Sequence, residues 1–246
     1  MPKLSVAMPV YEMKDGAKFL RHSLRILKSQ TFRDFEVVVS DNSAGDELKN
    51  VCRDFSSLEI NYFKSDRKGM APNSNAAIEA SKGELVKILY QDDFLSDERS
   101  LHEIVDNFIS DVNWLVTGCA HLDNEEGEWE DPHMPTYNPE IFLGKNTIGS
   151  PSVLTIRNSP PFLFDENLTW LLDCDLYRRL YDEWGEPAVL DVVNVIIRRG
   201  EHQMTNLISA ERKQWEQDYL IKKYSWKKCY LLELGDSLDR ICCAIF

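Results

Sequence analysis

The stretch Leu85-Val86-Lys87-Ile88-Leu89-Tyr90-Gln91-Asp92-Asp93 decides how the rest of the chain is read. A largely apolar run that stops abruptly at two carboxylates is the pattern of a buried strand with a polar carboxyl end. Upstream of it, Ala71 to Ser81 is rich in helix formers and stops at Gly83, a residue type that terminates helices. Leu58 to Phe63 alternates as a strand does, and Leu48 to Phe55 reads as a short helix. Phe35-Glu36-Val37-Val38-Val39-Ser40 is a β-branched run that closes on the turn cluster Asp41-Asn42-Ser43. Phe19, Leu20, Leu24, Ile26 and Leu27 recur at helical spacing, and Leu4 to Val10 reads as a buried strand. Strands separated by short helices make β-α-β units, so the spacing predicts an α/β fold with a mostly parallel central sheet flanked by helices. Ligands of such sheets bind beyond the carboxyl ends of the strands. That rule selects Pro9 to Glu12, Asp41 to Ser43 and Gln91 to Asp93.

Downstream the pattern is less regular. Trp114 to Cys119, Ser152 to Ile156 and Val189 to Arg198 read as strands, Leu171 to Trp184 as a helix, and Pro160-Pro161 as a loop. Asp123 to Asp131 holds six carboxylates in nine residues and reads as an exposed, solvated loop. From Glu211 onward Trp215, Tyr219, Leu220, Tyr230, Leu231, Leu234, Leu238, Ile241, Cys242 and Ile245 fall roughly three or four apart, a helical tail. No internal repeat or linker interrupts the chain. The expected organisation is one domain over 1–209 and a C-terminal amphipathic helical extension over 210–246. The extension would pack on that domain or at an interface with a second copy, a homodimer. Lys222, Lys223, Lys227 and Lys228 among Tyr224, Trp226 and Tyr230 also suit peripheral contact with an anionic membrane.

The 246 residues carry 28 Lys and Arg against 41 Asp and Glu, a net charge of −13. Such a balance argues against a nucleic-acid partner, which requires a positive field. With 43% hydrophobic and 28% charged residues the composition is globular, which excludes a disordered chain. No apolar run approaches the roughly 20 residues that span a bilayer. The start Met1-Pro2-Lys3-Leu4-Ser5-Val6 lacks a secretory pattern. The six cysteines, with no C-x-x-C pair and no zinc spacing, read as reduced thiols. A cytoplasmic protein is expected, peripheral at the inner membrane face if the tail meets lipid.

Asp92 and Asp93 would repel each other at a strand end unless a cation sits beside them. A hard divalent ion meets that need, since Mg²⁺ and Mn²⁺ use one or two protein carboxylates alongside substrate phosphates. Tyr11 offers a flat face to a base. Asp41 can accept a hydrogen bond from a base N–H, or cap a turn.

Six stretches in order, spread over roughly residues 3 to 206, resemble the family 2 glycosyltransferases. They are Ser5 to Glu12, Val37 to Ser43, Gly69 through Asn73-Ser74-Asn75 to Glu84, Lys87 to Asp93, Leu172-Asp173-Cys174-Asp175-Leu176, and Arg198-Arg199-Gly200-Glu201-His202-Gln203. The resemblance implies the GT-A fold and an inverting, metal-dependent transferase using Mn²⁺ or Mg²⁺. It implies that Pro9, Tyr11 and Glu12 line a nucleoside pocket, that Asp41 reads the base, and that Lys68 reaches the base or the diphosphate. Asn75 would face the nucleotide. Asp92 would touch ribose or metal, Asp93 would bind the metal, and His202 would lie near the diphosphate or the metal. Asp173 matches the catalytic base, with Asp175 a rival; on a helix the two point about 200° apart. Tyr90, Leu172 and Ser74 depart from what many relatives carry: a carboxylate, a glutamate and an arginine, respectively. Trp170 is placed either in an acceptor pocket or in the core.

The expected reaction moves a sugar from a UDP- or dTDP-sugar to a hydroxyl of a glycan or lipid-linked acceptor, as in polysaccharide biosynthesis. One carboxylate within reach of that hydroxyl acts as general base, giving inversion in a single displacement. Two alternatives remain at this point: a non-catalytic sugar-nucleotide-binding module, and a sugar-phosphate nucleotidylyltransferase. The latter would want a glycine-rich loop where Pro9 to Gly16 has one glycine.

Overall fold

A computed structural model describes residues 1–123 and 127–233, with residues 225–233 described as helical backbone. In chain order the elements are β1 (Leu4–Val10), α1 (Gly16–Ser29), β2 (Phe35–Asp41), α2 (Glu47–Arg53), β3 (Ile60–Lys64), α3 (Met70–Glu79), β4 (Leu85–Ile88) and β5 (Phe94–Leu95). There follow α4 (Ser100–Asn107), β6 (Trp114–Leu122), β7 (Glu130–His133), β8 (Leu154–Arg157), α5 (Leu172–Trp184), β9 (Ala188–Arg198), α6 (Met204–Leu207) and α7 (Ala210–Glu233). Short 3-10 turns lie at Ile141–Leu143 and Pro151–Val153.

The strands form one sheet in the order β3-β2-β1-β4-β8-β6-β9-β5, with β7 added along β6. The first four strands are all parallel, as the β-α-β pattern predicts. Beyond β4 the sheet is mixed: β8 runs antiparallel to β4 and β6, while β6 and β9 run parallel. β1, β2 and β4 are buried along their whole length, and a strand covered on both faces is apolar without alternation. α1 buries Phe19, Leu20, Leu24 and Leu27 on one stripe. Truncating the fully buried Leu24 to Ala would cost about 2–5 kcal/mol. α3 packs over β1 and β2 and is buried from Asn73 to Ile78.

β4 ends two residues before the expected Tyr90. Leu89 N–H still bonds Ala7 O at 3.0 Å, but Tyr90 N–H turns to the Ser152 hydroxyl, also at 3.0 Å, which breaks the ladder. The strand expected from Ser152 starts at Leu154, because Pro151 and the Ser150 side chain initiate a 3-10 turn first. The acidic loop contains an edge strand, β7, whose carboxylates remain exposed and whose Asp131 pairs with Arg199 at 2.8 Å. α7 lies against the domain through the buried Leu220 and Tyr224. Leu234, Leu238, Ile241, Ile245 and the Cys242-Cys243 pair lie outside the described residues. Among the described residues no helix is long and apolar enough to cross a membrane.

Candidate active site

The chain leaves β1 toward β2 and β3, then returns to β4 on β1's other side, so the strand order reverses between β1 and β4. A reversal of this kind opens a crevice at the carboxyl ends of the strands. A cavity of about 420 Å³ lies there. Pro9 and Tyr11 from the end of β1, Asn42 after β2, and Gln91, Asp92 and Asp93 after β4 line one side. Thr169 and Trp170 just ahead of α5, and Leu172 and Asp173 in its first turn, form another stretch of wall. Arg198, His202 and, from α6, Met204, Thr205 and Leu207 also line it. A second hollow of about 630 Å³ adjoins it across Tyr11, Arg198 and His202.

Asp93 is only 3% exposed. Its partners are neutral: the Ser150 hydroxyl at 3.2 Å, the Ser152 hydroxyl and the Arg198 backbone N–H. Burial, reinforced by the neighbouring Asp92 charge, holds its carboxyl well above the usual carboxylate range. Asp92 lies 3.3 Å from His202 Nε2. Below them Lys87 is fully buried on β4, its ammonium on Ser152 O, and burial pushes its pKa down to about 7 against the opposing pull of Asp93. The two rim carboxylates offer hard oxygen donors of the kind that Mg²⁺ or Mn²⁺ takes. Among the described residues no three His, Cys, Asp or Glu side chains form a ready-made metal cluster. An ion held by Asp92 and Asp93 would take its remaining ligands from phosphate and water oxygens.

Asp173 sits in the first turn of α5 and faces the cavity. Its Oδ1 accepts from Cys174 N–H at 2.7 Å and its Oδ2 from Asn146 Nδ2 at 2.8 Å. A helix N-terminus favours the charged form, yet burial wins and pushes the carboxyl up to about 6. Asp175, two residues on, points the other way. Fully buried, it binds Arg179 Nε at 2.8 Å, Lys223 Nζ at 2.7 Å and the Tyr224 hydroxyl at 2.6 Å. It joins α5 to α7 and does not line the cavity.

Of the residues expected at the site, Pro9, Tyr11, Asp92, Asp93, Asp173 and His202 converge on the cavity; Glu12, Asp41, Lys68 and Asn75 do not line it. Glu12 accepts from Gly45 N–H at 3.3 Å on the outer side of the β1 loop. Asp41 is fully buried, and both its oxygens are engaged: by Ser43 N–H at 2.8 Å and the Ser43 hydroxyl, and by the Tyr62 hydroxyl at 2.6 Å and Lys64 at 2.9 Å. Those bonds hold its pKa below normal despite burial. Asn42 lines the cavity in its place. Lys68 is exposed beside Gly69, which is at the rim. Asn75 clasps Phe164 by its N–H at 2.7 Å and its carbonyl at 3.0 Å, tying α3 to a distant loop. Asn73 borders the cavity, with its amide bonded to Ser40 and Val10.

Sequence reasoning missed Ser150 and Asn146, which bond Asp93 and Asp173 from an irregular stretch with no periodicity to read. It also passed over Lys87, because one charged residue inside an apolar run reads as noise. Arg198, 6% exposed and sandwiched between Phe19 and Phe94 at 5.2 and 4.7 Å from their ring centroids, is a further cavity residue.

The sequence matches the family model described as Glycosyl transferase family 2 over residues 5–167. A Campylobacter jejuni protein, GalNAc(5)-diNAcBac-PP-undecaprenol beta-1,3-glucosyltransferase, is 31% identical over 99 residues, 39% of this chain and 31% of that one. The uncharacterized glycosyltransferase MJ1057 of Methanocaldococcus jannaschii is 26% identical over 238 residues, covering 92% of this chain and 80% of its own length. The chain spans about a third or less of several curated relatives it matches: 31%, 21% and 16% of three of them. Among solved structures, S. aureus TarS in complex with UDP-GlcNAc superposes with a TM-score of 0.65 at 20% identity, over 85% of this chain and 62% of that one. The mannosyltransferase PcManGT of Pyrobaculum calidifontis, in complex with GDP-Man and Mn²⁺, superposes at 0.57 and 15% identity, over 82% and 58%. The fold is therefore of the GT-A type, and the matched span, the strand-end carboxylates and the crevice at the β1/β4 reversal agree: this chain belongs to glycosyl transferase family 2.

Proposed function

We propose that the cavity binds a nucleotide-diphosphate sugar and transfers its sugar, with inversion, to an acceptor hydroxyl. The observation that carries the reading is one crevice lined by three carboxylates from two parts of the chain. Asp92 and Asp93 stand at the sheet's rim, and Asp173 comes from the first turn of α5. The nucleoside would lie over Pro9 and Tyr11 near Asn42. A cation held by Asp93 and Asp92 would supply neutralisation of the leaving diphosphate, and His202 stands beside Asp92 to meet the same charge. Asp173 accepts the proton of the attacking hydroxyl. A carboxyl near pKa 6 is a better base than an ordinary aspartate and is still ionised at neutral pH. A single base on one wall fits a single displacement with inversion, and no second carboxylate need act as nucleophile.

A UDP-type donor with Mn²⁺ or Mg²⁺ is supported by the ligands in the superposed structures, UDP-GlcNAc in TarS and GDP-Man with Mn²⁺ in PcManGT. A lipid-linked or glycan acceptor is supported by the lipid-linked saccharide in the Campylobacter relative's name. Trp170 on the base's wall suits stacking on a sugar ring of that acceptor. The test is UDP release from a panel of UDP-sugars with Mn²⁺, alongside the Asp173→Asn variant. Release should fall by a factor on the order of 10²–10⁴ with donor binding retained. Binding with no turnover in the parent protein would favour the binding-module reading instead.

A further inference from the structure

The wall that carries Asp173 has no regular structure of its own before α5, so something must hold it. Thr169, Trp170 and Leu171 present three successive backbone N–H groups just ahead of the helix. All three bonds end on one carboxylate from α7, 45 to 47 residues away in sequence. Glu216 Oε1 accepts from Thr169 N–H, and Oε2 from Trp170 and Leu171 N–H, each at 2.9 Å. Glu216 is fully buried, and its charge is met by Arg212 Nε at 2.8 Å. The next residue on α7, Lys213, places its ammonium 5.4 Å from the Trp170 ring centroid and donates to Thr205 O, in α6, at 2.8 Å. Thr169, Trp170 and Asp173 line the cavity, whereas Glu216 does not. The family match ends at residue 167, before either partner.

We propose that Glu216 is a positioning residue: by gathering the N–H groups of 169–171 it fixes where Trp170 and Asp173 stand in the cavity. A charge-assisted bond to backbone N–H is stronger than a neutral one, and a carboxylate accepting three such bonds fixes all three peptide planes. Truncation would leave three donors that have no other hydrogen-bond partner among the described residues. Displacing a reacting group by about 1 Å can cost on the order of 10²-fold in rate. The inference rests on reading Asp173 as the base, and its test separates the two.

Glu216→Gln keeps the shape but replaces one acceptor oxygen by a donor, so at least one of the three bonds is lost. Hydrogen exchange over residues 167–176 should quicken by about tenfold or more, with exchange on β1, β2 and β4 unchanged. The affinity for UDP with Mn²⁺, read by calorimetry, should stay within about twofold of the parent. The maximal rate of Mn²⁺-dependent UDP release from the best UDP-sugar of the panel should fall by about tenfold or more. If Glu216→Gln does not fold, Arg212→Gln loosens the same carboxylate and should give smaller changes in the same directions. Unchanged exchange over 167–176 overturns the proposal. Quickened exchange with an unchanged rate does so too, since Glu216 would then serve stability alone. Asp173→Asn is measured in parallel. If it keeps its rate while Glu216→Gln loses it, the assignment of the base fails and the positioning role stands.

Discussion

Two carboxylates in the first turn of α5 are held in opposite ways. Asp175 meets two cations and a phenol, while Asp173 meets neutral donors: the Asn146 amide, the Cys174 N–H and thiol, and its own backbone N–H. The same contrast separates the buried aspartates of the sheet. Asp41 is matched by Lys64 and three hydroxyl or N–H donors, whereas the hydrogen bonds to Asp93 come from neutral donors, with Lys87 as a nearby charge. A carboxylate neutralised inside the protein holds elements together and has no capacity left for a ligand. One held by neutral donors keeps the capacity to meet a cation or a proton. Of these four aspartates, the two with cationic partners hold the scaffold, and the two held by neutral hydrogen-bond donors line the cavity.

Removing a carboxylate of the second kind should break chemistry and spare the fold. Asp93→Ala has the largest expected effect: Mn²⁺-dependent UDP binding disappears in calorimetry while the melting transition remains. A retained Mn²⁺ requirement in that variant would move the ion elsewhere.

The pH profile sharpens the contrast next. With its carboxyl near 6, Asp173 is protonated below that pH, so UDP release should rise about tenfold per unit below pH 6 and level off above it. Asp173→Asn should remove that limb. The sign for stability is opposite. Because the folded state raises this pKa above that of an ordinary aspartate, folding binds a proton between about pH 4 and 6, and the shift lowers stability as pH rises through that window. Asp173→Asn should therefore melt at a higher temperature than the parent at pH 7.

Carboxylates of the first kind should behave the other way. Asp175→Asn leaves Arg179 and Lys223 facing a neutral amide, and breaking a buried pair costs about 3–5 kcal/mol. Urea unfolding should show that loss, with UDP affinity nearly unchanged. The smallest effect is expected from Asn75→Ala. It strands the Phe164 N–H and carbonyl, a cost of about 1–3 kcal/mol, and leaves nucleotide binding as it was.

The parallel half of the sheet could be read in the sequence because strands buried on both faces appear as unbroken apolar runs. β5, two residues long, and α4, with only Ser100, Leu101 and Ile104 buried, are too short to carry a period. The rim carboxylates Asp92 and Asp93 were legible because they end such a run. Asp41 ends one too, yet its fate depends on Tyr62 and Lys64 one strand over, and no local pattern shows a cross-strand partner. The roles of Glu216 and Asn75 were hidden for the same reason: each bonds a loop far away in sequence. Asp173 and Asp175 share a turn, and only the packing of α7 tells them apart.

The three-pronged grip of Glu216 also bears on how this protein can be cut or recombined. A version stopping at residue 209 would keep all the sequence that the family model recognises, every described strand and both rim carboxylates, Asp92 and Asp93. It would lose the strut behind the wall that carries Asp173. Grafting schemes that swap catalytic domains among relatives should therefore carry α7 with the domain and set the seam after it.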